Sequence, residues 1–179
     1  SDNPVTLEAW MRVDSGNQAI PIHKGSYPTY EYGFAVQDGY IDFRMNDNGA
    51  FSTVQAHLDD FSNWHHFAGV YDGESMTIYV DGLLEHRRSH SGVVAQDTYG
   101  FRIGRYGPNN GYFFKGAVGT VRVWSRALSQ AELQAGMKGD FDVEGAVGLE
   151  GYWPASEGSG ASLVDHSGNG YHGTISGPS

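Results

Sequence analysis

Apolar and polar residues alternate along most of this chain. From Val5 to Val13, Leu7, Ala9 and Met11 alternate with Thr6, Glu8, Trp10 and Arg12. That is the two-residue period of a strand with one face on a core. Similar runs lie at 19–23, 31–36, 40–45, 50–57, 83–90, 99–104 and 112–124. Between Trp64 and Gly82 two further runs each end in Asp-Gly, and Met76, Ile78 and Val80 alternate with Thr77, Tyr79 and Asp81. Asp38-Gly39, Asp72-Gly73 and Asp81-Gly82 tolerate the positive φ angles of tight hairpin turns. Leu149 to Pro154 reads as one more strand, and Thr174-Ile175 as a brief pairing. Short strands separated by Gly, Asp and Asn turns predict an all-β fold, a two-sheet antiparallel β-sandwich.

The strand period breaks once. Ser129 can cap a helix, and Glu132 three residues on can return the hydrogen bond. Leu128 and Leu133 are spaced as a hydrophobic staple, and Gly136 is placed to end the helix after about two turns. The Gly-rich, acidic stretch from Lys138 to Gly148 reads as an exposed loop.

Composition narrows the function. The 179 residues suit a single domain spanning 1–179, and 26 of them are Gly. The formal net charge of −10 disfavours nucleic acid and anionic membranes, which attract basic surfaces. No apolar run approaches a membrane span, and no signal peptide is expected in this sequence. With no Cys, disulfides and thiol catalysis are excluded. There is no Asn-x-Ser/Thr sequon.

Three pieces carry a family resemblance. They are Thr6-Leu-Glu-Ala-Trp10, the Trp64–Gly82 stretch with its two Asp-Gly ends, and Phe114 to Leu133 with its Val-Arg-Val-Trp core. In that order they resemble the concanavalin A-like jelly roll, in its laminin-G-like and pentraxin branch. The resemblance implies a jelly-roll sandwich that often binds calcium and sugars, in secreted or cell-surface proteins. A fourth piece, Gly151 to Gly160 with Asp165 to Gly173, resembles the start of such a domain but comes last here. A circular permutation is expected, with residues 149–175 completing the sandwich. The opening of a second repeat and exchange with a neighbour in a homo-oligomer are the alternatives. The strand that joins these pieces in the family is missing or much shortened here.

The same jelly roll hosts glycoside hydrolases, which need two carboxylates facing one cleft. Asp140, Asp142 and Glu144 would share a strand face, but Gly139 and Gly145 flank them and a solvated loop is the reading. Tyr112-Phe-Phe-Lys-Gly116 faintly resembles an alginate lyase motif without the partner motif. No catalytic residues are assigned. The eight histidines suggest no zinc site: His65 and His66 are adjacent on a strand and face opposite ways.

Asp165, Ser167 and Asn169 place oxygen side chains at alternate positions before Gly170, as in the front half of a calcium loop. The competing reading is a turn that holds itself by hydrogen bonds. The resemblance also implies an Asp where this chain has Gly119, and acids in a pentraxin-like loop where Arg105 to Asn110 has none. Paired calcium sites of the pentraxin kind are therefore not expected.

Sugar recognition needs rings to stack on and planar polar groups to bind hydroxyls. Three loop regions supply them: His23 and Tyr30; Arg44, Asn46, Asp47 and Asn48; and Arg105, Tyr106, Asn109, Asn110 and Tyr112. The expected function is a non-catalytic lectin or carbohydrate-binding module for glycans or glycoproteins, with calcium as the expected cofactor. The alternatives are an adhesion module of laminin-G type and a glycoside hydrolase.

Overall fold

The computed structural model describes residues 3–14, 19–26, 30–47, 49–92, 94, 98–106, 113–139, 142–143, 145–157 and 159–176. In chain order the elements are β1 (Val5–Val13), β2 (Ala19–Lys24), β3 (Tyr32–Gln37), β4 (Tyr40–Asp47) and β5 (Ala50–His57). Then come β6 (His65–Tyr71), β7 (Ser75–Val80), β8 (Leu83–Ser89), β9 (Phe101–Ile103) and β10 (Gly116–Trp124). The helix α1 (Gln130–Met137) precedes β11 (Leu149–Trp153), β12 (Ser162–Leu163) and β13 (Gly173–Thr174). All the pairings are antiparallel. A six-stranded sheet in the order β11-β10-β1-β6-β7-β8 faces a five-stranded sheet in the order β5-β4-β3-β2-β9, with β12 and β13 as a small annex. This is the two-sheet sandwich that the alternation predicts, in the jelly-roll form that the resemblance implies. No helix among the described residues is long and apolar enough to cross a membrane.

The turns follow from local chemistry. Asp38 and Gly39 have φ of 52° and 84°, and Asp81 and Gly82 have 50° and 74°, the paired positive values of a two-residue hairpin. Asp72-Gly73 turns differently. Only Gly73 is left-handed, and the Asp72 carboxylate accepts from Glu74 N, Ser75 N and Ser75 Oγ.

The inner faces meet in one core. Leu7 and Met11 of β1, Phe67 of β6 and Ile78 of β7 oppose Phe34 of β3 and Phe43 of β4, and all are fully buried. Gly69 is the point of closest approach: a Cβ there would sit inside the Phe43 ring. β11 pairs with β10, from Val121 opposite Trp153 to Trp124 opposite Leu149, so this strand lies at the edge of the chain's own six-stranded sheet.

The outer face of that sheet is not left to solvent. α1 and its flanking loops cover it, burying Ala68, Val70, Trp124, Leu128, Leu133 and Leu149 together. The capping box forms as expected, with Glu132 N donating to Ser129 Oγ and Ser129 N to Glu132 Oε2. Gly136 does not end the helix. It lies inside the last turn against Arg122, and Gly139, with φ of 80°, follows the end. A Cβ there would come within 3.0 Å of Arg122 Nη1, so close packing, rather than a left-handed φ, favours a glycine.

Candidate functional site

The structure brings four of the predicted binding residues together and leaves the other described ones apart. His23 (β2), Tyr30 and Tyr106 gather on the outer face of the five-stranded sheet. His23 lies 5.4 Å from Tyr30 and 5.5 Å from Tyr106, centroid to centroid, and the two tyrosines are 6.0 Å apart. Strand register places Arg44 on the same face: His23 is opposite Gly33, Gly33 opposite Arg44, and Arg44 opposite Thr53. Arg44 donates through Nε and Nη2 to Asp42 Oδ2 and through Nη2 to Gln37 Oε1. Asn46 and Asp47 lie at the far end of β4. Asn46 Oδ1 accepts from Gly49 N at 2.8 Å, so this side chain holds the turn into β5. The Arg105 guanidinium sits 5.9 Å over the Phe113 ring. Asn48, Asn109, Asn110 and Tyr112 lie outside the described residues.

Not all of this group reaches solvent. His23 and Tyr30 are buried, so they support the surface instead of forming it. Burial, then the charge of Arg102, push the His23 pKa down to about 4, which keeps its ring neutral at physiological pH. Burial pushes the Tyr30 hydroxyl up to about 12, with Arg44 opposing. What solvent meets is Phe51 of β5, 39% exposed, whose ring lies 4.7 Å from Tyr30 at an interplanar angle of 35°. Phe51, Asp42 and Gln37 were not among the residues expected from sequence. The signal that could have found them is register: Phe51 and Thr53 share a face of β5, and β5 pairs with β4. The result is a partly exposed apolar ring on the same sheet face as a guanidinium fixed in place by a carboxylate and an amide.

The Asp165 loop is built differently. Asp165 Oδ1 accepts from Tyr152 N and Ser167 N, and Oδ2 accepts from Ser167 Oγ and Tyr171 N. Asn169 Nδ2 donates to the Leu149 and Glu150 carbonyls. These hydrogen bonds hold the carboxylate below its ordinary pKa despite its burial. Four donors occupy the one carboxylate of the loop, and the Asn169 amide turns its nitrogen to the chain. The three residues therefore do not fit a calcium ion in this geometry. They form a clasp tying residues 165–171 to β11. Among the described residues, no group of three or more His, Cys, Asp or Glu is placed to hold a metal. Asp142 is exposed outside both sheets, and Asp140 and Glu144 lie outside the described residues.

A second polar cluster lies under α1. Glu8 accepts from Arg122 Nη1 at 3.2 Å, Trp124 Nε1 at 3.0 Å and the His66 ring at 3.0 Å, and Arg122 Nη2 donates to Gly136 O. It is closed to solvent, which assigns it to the scaffold.

Two antiparallel sheets packed face to face define the class: a jelly-roll β-sandwich domain. The family model of the concanavalin A-like lectin/glucanases superfamily, Laminin_G_3, matches residues 1–134, and the chain belongs to that family. No curated protein matches it. Among solved structures it is similar to a Bacteroides ovatus protein to which carbohydrate binding is ascribed, at 25% identity and a TM-score of 0.74. That match covers 93% of this chain and 50% of the other, so the chain spans half the length of that relative. It shares the fold of mouse laminin alpha1 domains LG4-5, at 20% identity and a TM-score of 0.54, over 71% of this chain and 38% of that one. It also shares the fold of the receptor binding domain of botulinum neurotoxin D, at 14% identity and a TM-score of 0.58, over 78% and 38%.

Proposed function

We propose that this chain is a non-catalytic carbohydrate-binding module of a secreted or cell-surface protein. Its contact surface is the outer face of the five-stranded sheet, where a pyranose ring stacks on Phe51 and its hydroxyls meet Arg44 and Gln37. The observation that carries the reading is the exposed Phe51 ring backed by the buried Tyr30, next to a guanidinium held in a fixed plane. Stacking and planar hydrogen bonding are the two interactions a sugar needs. The Bacteroides ovatus relative supports the ligand class. Calcium independence is part of the proposal, because the Asp165 carboxylate is already fully bonded.

A glycan array, run in calcium and again in chelator, tests both parts. Binding of a defined set of glycans, equal in the two buffers and lost in Phe51→Ala, is the expected result. No bound glycan in either buffer would overturn the ligand class. Binding lost only in chelator would overturn the calcium-independent form.

A further inference from the structure

A cleft of about 1010 Å³ opens where the two sheets part, between β9 at one edge and β11 at the other. Phe101 and Ile103 line it from β9, Val123 from β10, and Gly151 and Trp153 from β11. The Phe101 and Trp153 rings stack within it, 5.3 Å apart and 10° from parallel.

The backbone of β9 gives the cleft its meaning. Gly104 N donates to Pro21 O, and Gly25 N to Gly100 O. Residues 21/104 and 25/100 are therefore hydrogen-bonded pairs, and so is His23 with Arg102 between them. Antiparallel alternation then turns the N–H and C=O of Phe101 and Ile103 away from β2. Among the described residues no named strand pairs with Phe101 or Ile103 on that side; just past β9, Gly104 O accepts from Phe114 N and Arg105 bridges Phe113. Two donors and two acceptors thus stand in a row at an apolar cleft. An open backbone edge is a template for another strand, and alternating N–H and C=O groups match a peptide rather than a sugar.

We propose that the cleft seats an extended segment of a partner protein. The segment adds to β9 as a strand and lays its alternate apolar side chains at the mouth of the cleft, against the half-buried Phe101 and Ile103, with Trp153 and Val123 buried behind them. A separate partner is favoured over a second copy of this chain because β9 is only three residues long. Two such edges paired about a two-fold axis would share too few hydrogen bonds to hold two sandwiches together. This cleft is distinct from the Phe51 surface, so the proposal stands independently of glycan binding.

The experiment pans phage-displayed random twelve-residue peptides on the chain, then follows amide hydrogen exchange with the enriched peptides added. Enriched peptides should alternate apolar with polar residues and slow exchange at Phe101 and Ile103 tenfold or more. Ile103→Pro should abolish peptide binding, because it removes a free-edge N–H while sparing the β2 ladder. Ile103→Val should keep it. Should Ile103→Pro fail to fold, the protection pattern in the unaltered chain still decides. No enriched peptide, protection elsewhere only, or undiminished binding to a folded Ile103→Pro chain would overturn the proposal. Concentration-dependent protection without peptide would overturn it in favour of a second copy. Loss of glycan binding in Ile103→Pro would reassign the cleft to sugar.

Discussion

Glu8 and Arg122 meet at 3.2 Å beneath α1, each less than a tenth exposed, although both lie on the polar side of their strands. The helix covers this pair together with the apolar cluster around Leu133, and His66 and Trp124 complete the shell of the carboxylate. Removing one member leaves the other charged and buried, which costs more than the pair contributes. Glu8→Gln should lower unfolding stability by about 3 kcal/mol, measured by urea denaturation at neutral pH.

The same carboxylate sets an acid limb. Burial alone would raise its pKa, but the His66 hydrogen bond and the Arg122 charge hold it below the ordinary 4.5. A depressed carboxylate pKa stabilises the fold above the unfolded value, and that stability is lost as pH falls through the folded value. The urea midpoint should therefore drop below pH 4.5 in the parent chain. In Glu8→Gln that part of the drop should be absent.

His23 acts in a different window. Its pKa falls from 6.5 to about 4 on folding, so the unfolded chain binds more protons between those values. Stability should decline from pH 6.5 towards 4 and be unaffected by this group above 6.5. Replacing it by the non-titrating His23→Gln should flatten the 6.5–4 segment, whatever offset the substitution adds at neutral pH.

Phe51→Ala and Arg44→Ala should each weaken glycan binding at least tenfold by isothermal calorimetry. Because Phe51 is partly exposed, the melting temperature of Phe51→Ala should change by only a few degrees. A variant that keeps full affinity would place the sugar elsewhere.

The Asp165 clasp predicts a stability effect without metal. Asp165→Ala strands the Tyr152, Ser167 and Tyr171 donors and should cost about 2–3 kcal/mol. Chelator should leave the melting temperature of the parent chain unchanged, as read by differential scanning calorimetry.

Packing supplies one more check. A Cβ at Gly69 would overlap the Phe43 ring, so Gly69→Ala should destabilise by about 1–3 kcal/mol through overpacking.

What the chain alone determined is what neighbouring residues can decide between themselves. Alternation set the strands, Asp38-Gly39 and Asp81-Gly82 set the hairpins, and Ser129 with Glu132 set the start of the helix. Each is a contest among groups a few residues apart, so the sequence carries the whole argument. The grouping of His23, Tyr30 and Tyr106 was legible only as a set of loop residues, and which of them reaches solvent was not. Strand pairing settled that, by setting Phe51 over Tyr30 and burying the residues beneath. Pairing and covering likewise decided that Glu8 is buried rather than wet, that the oxygens of Asp165 go to backbone donors of Tyr152 and Tyr171, and that no described strand pairs with one edge of β9. Each of these outcomes depends on a partner a strand or a loop away, and no spacing along the chain can tell whether that partner arrives.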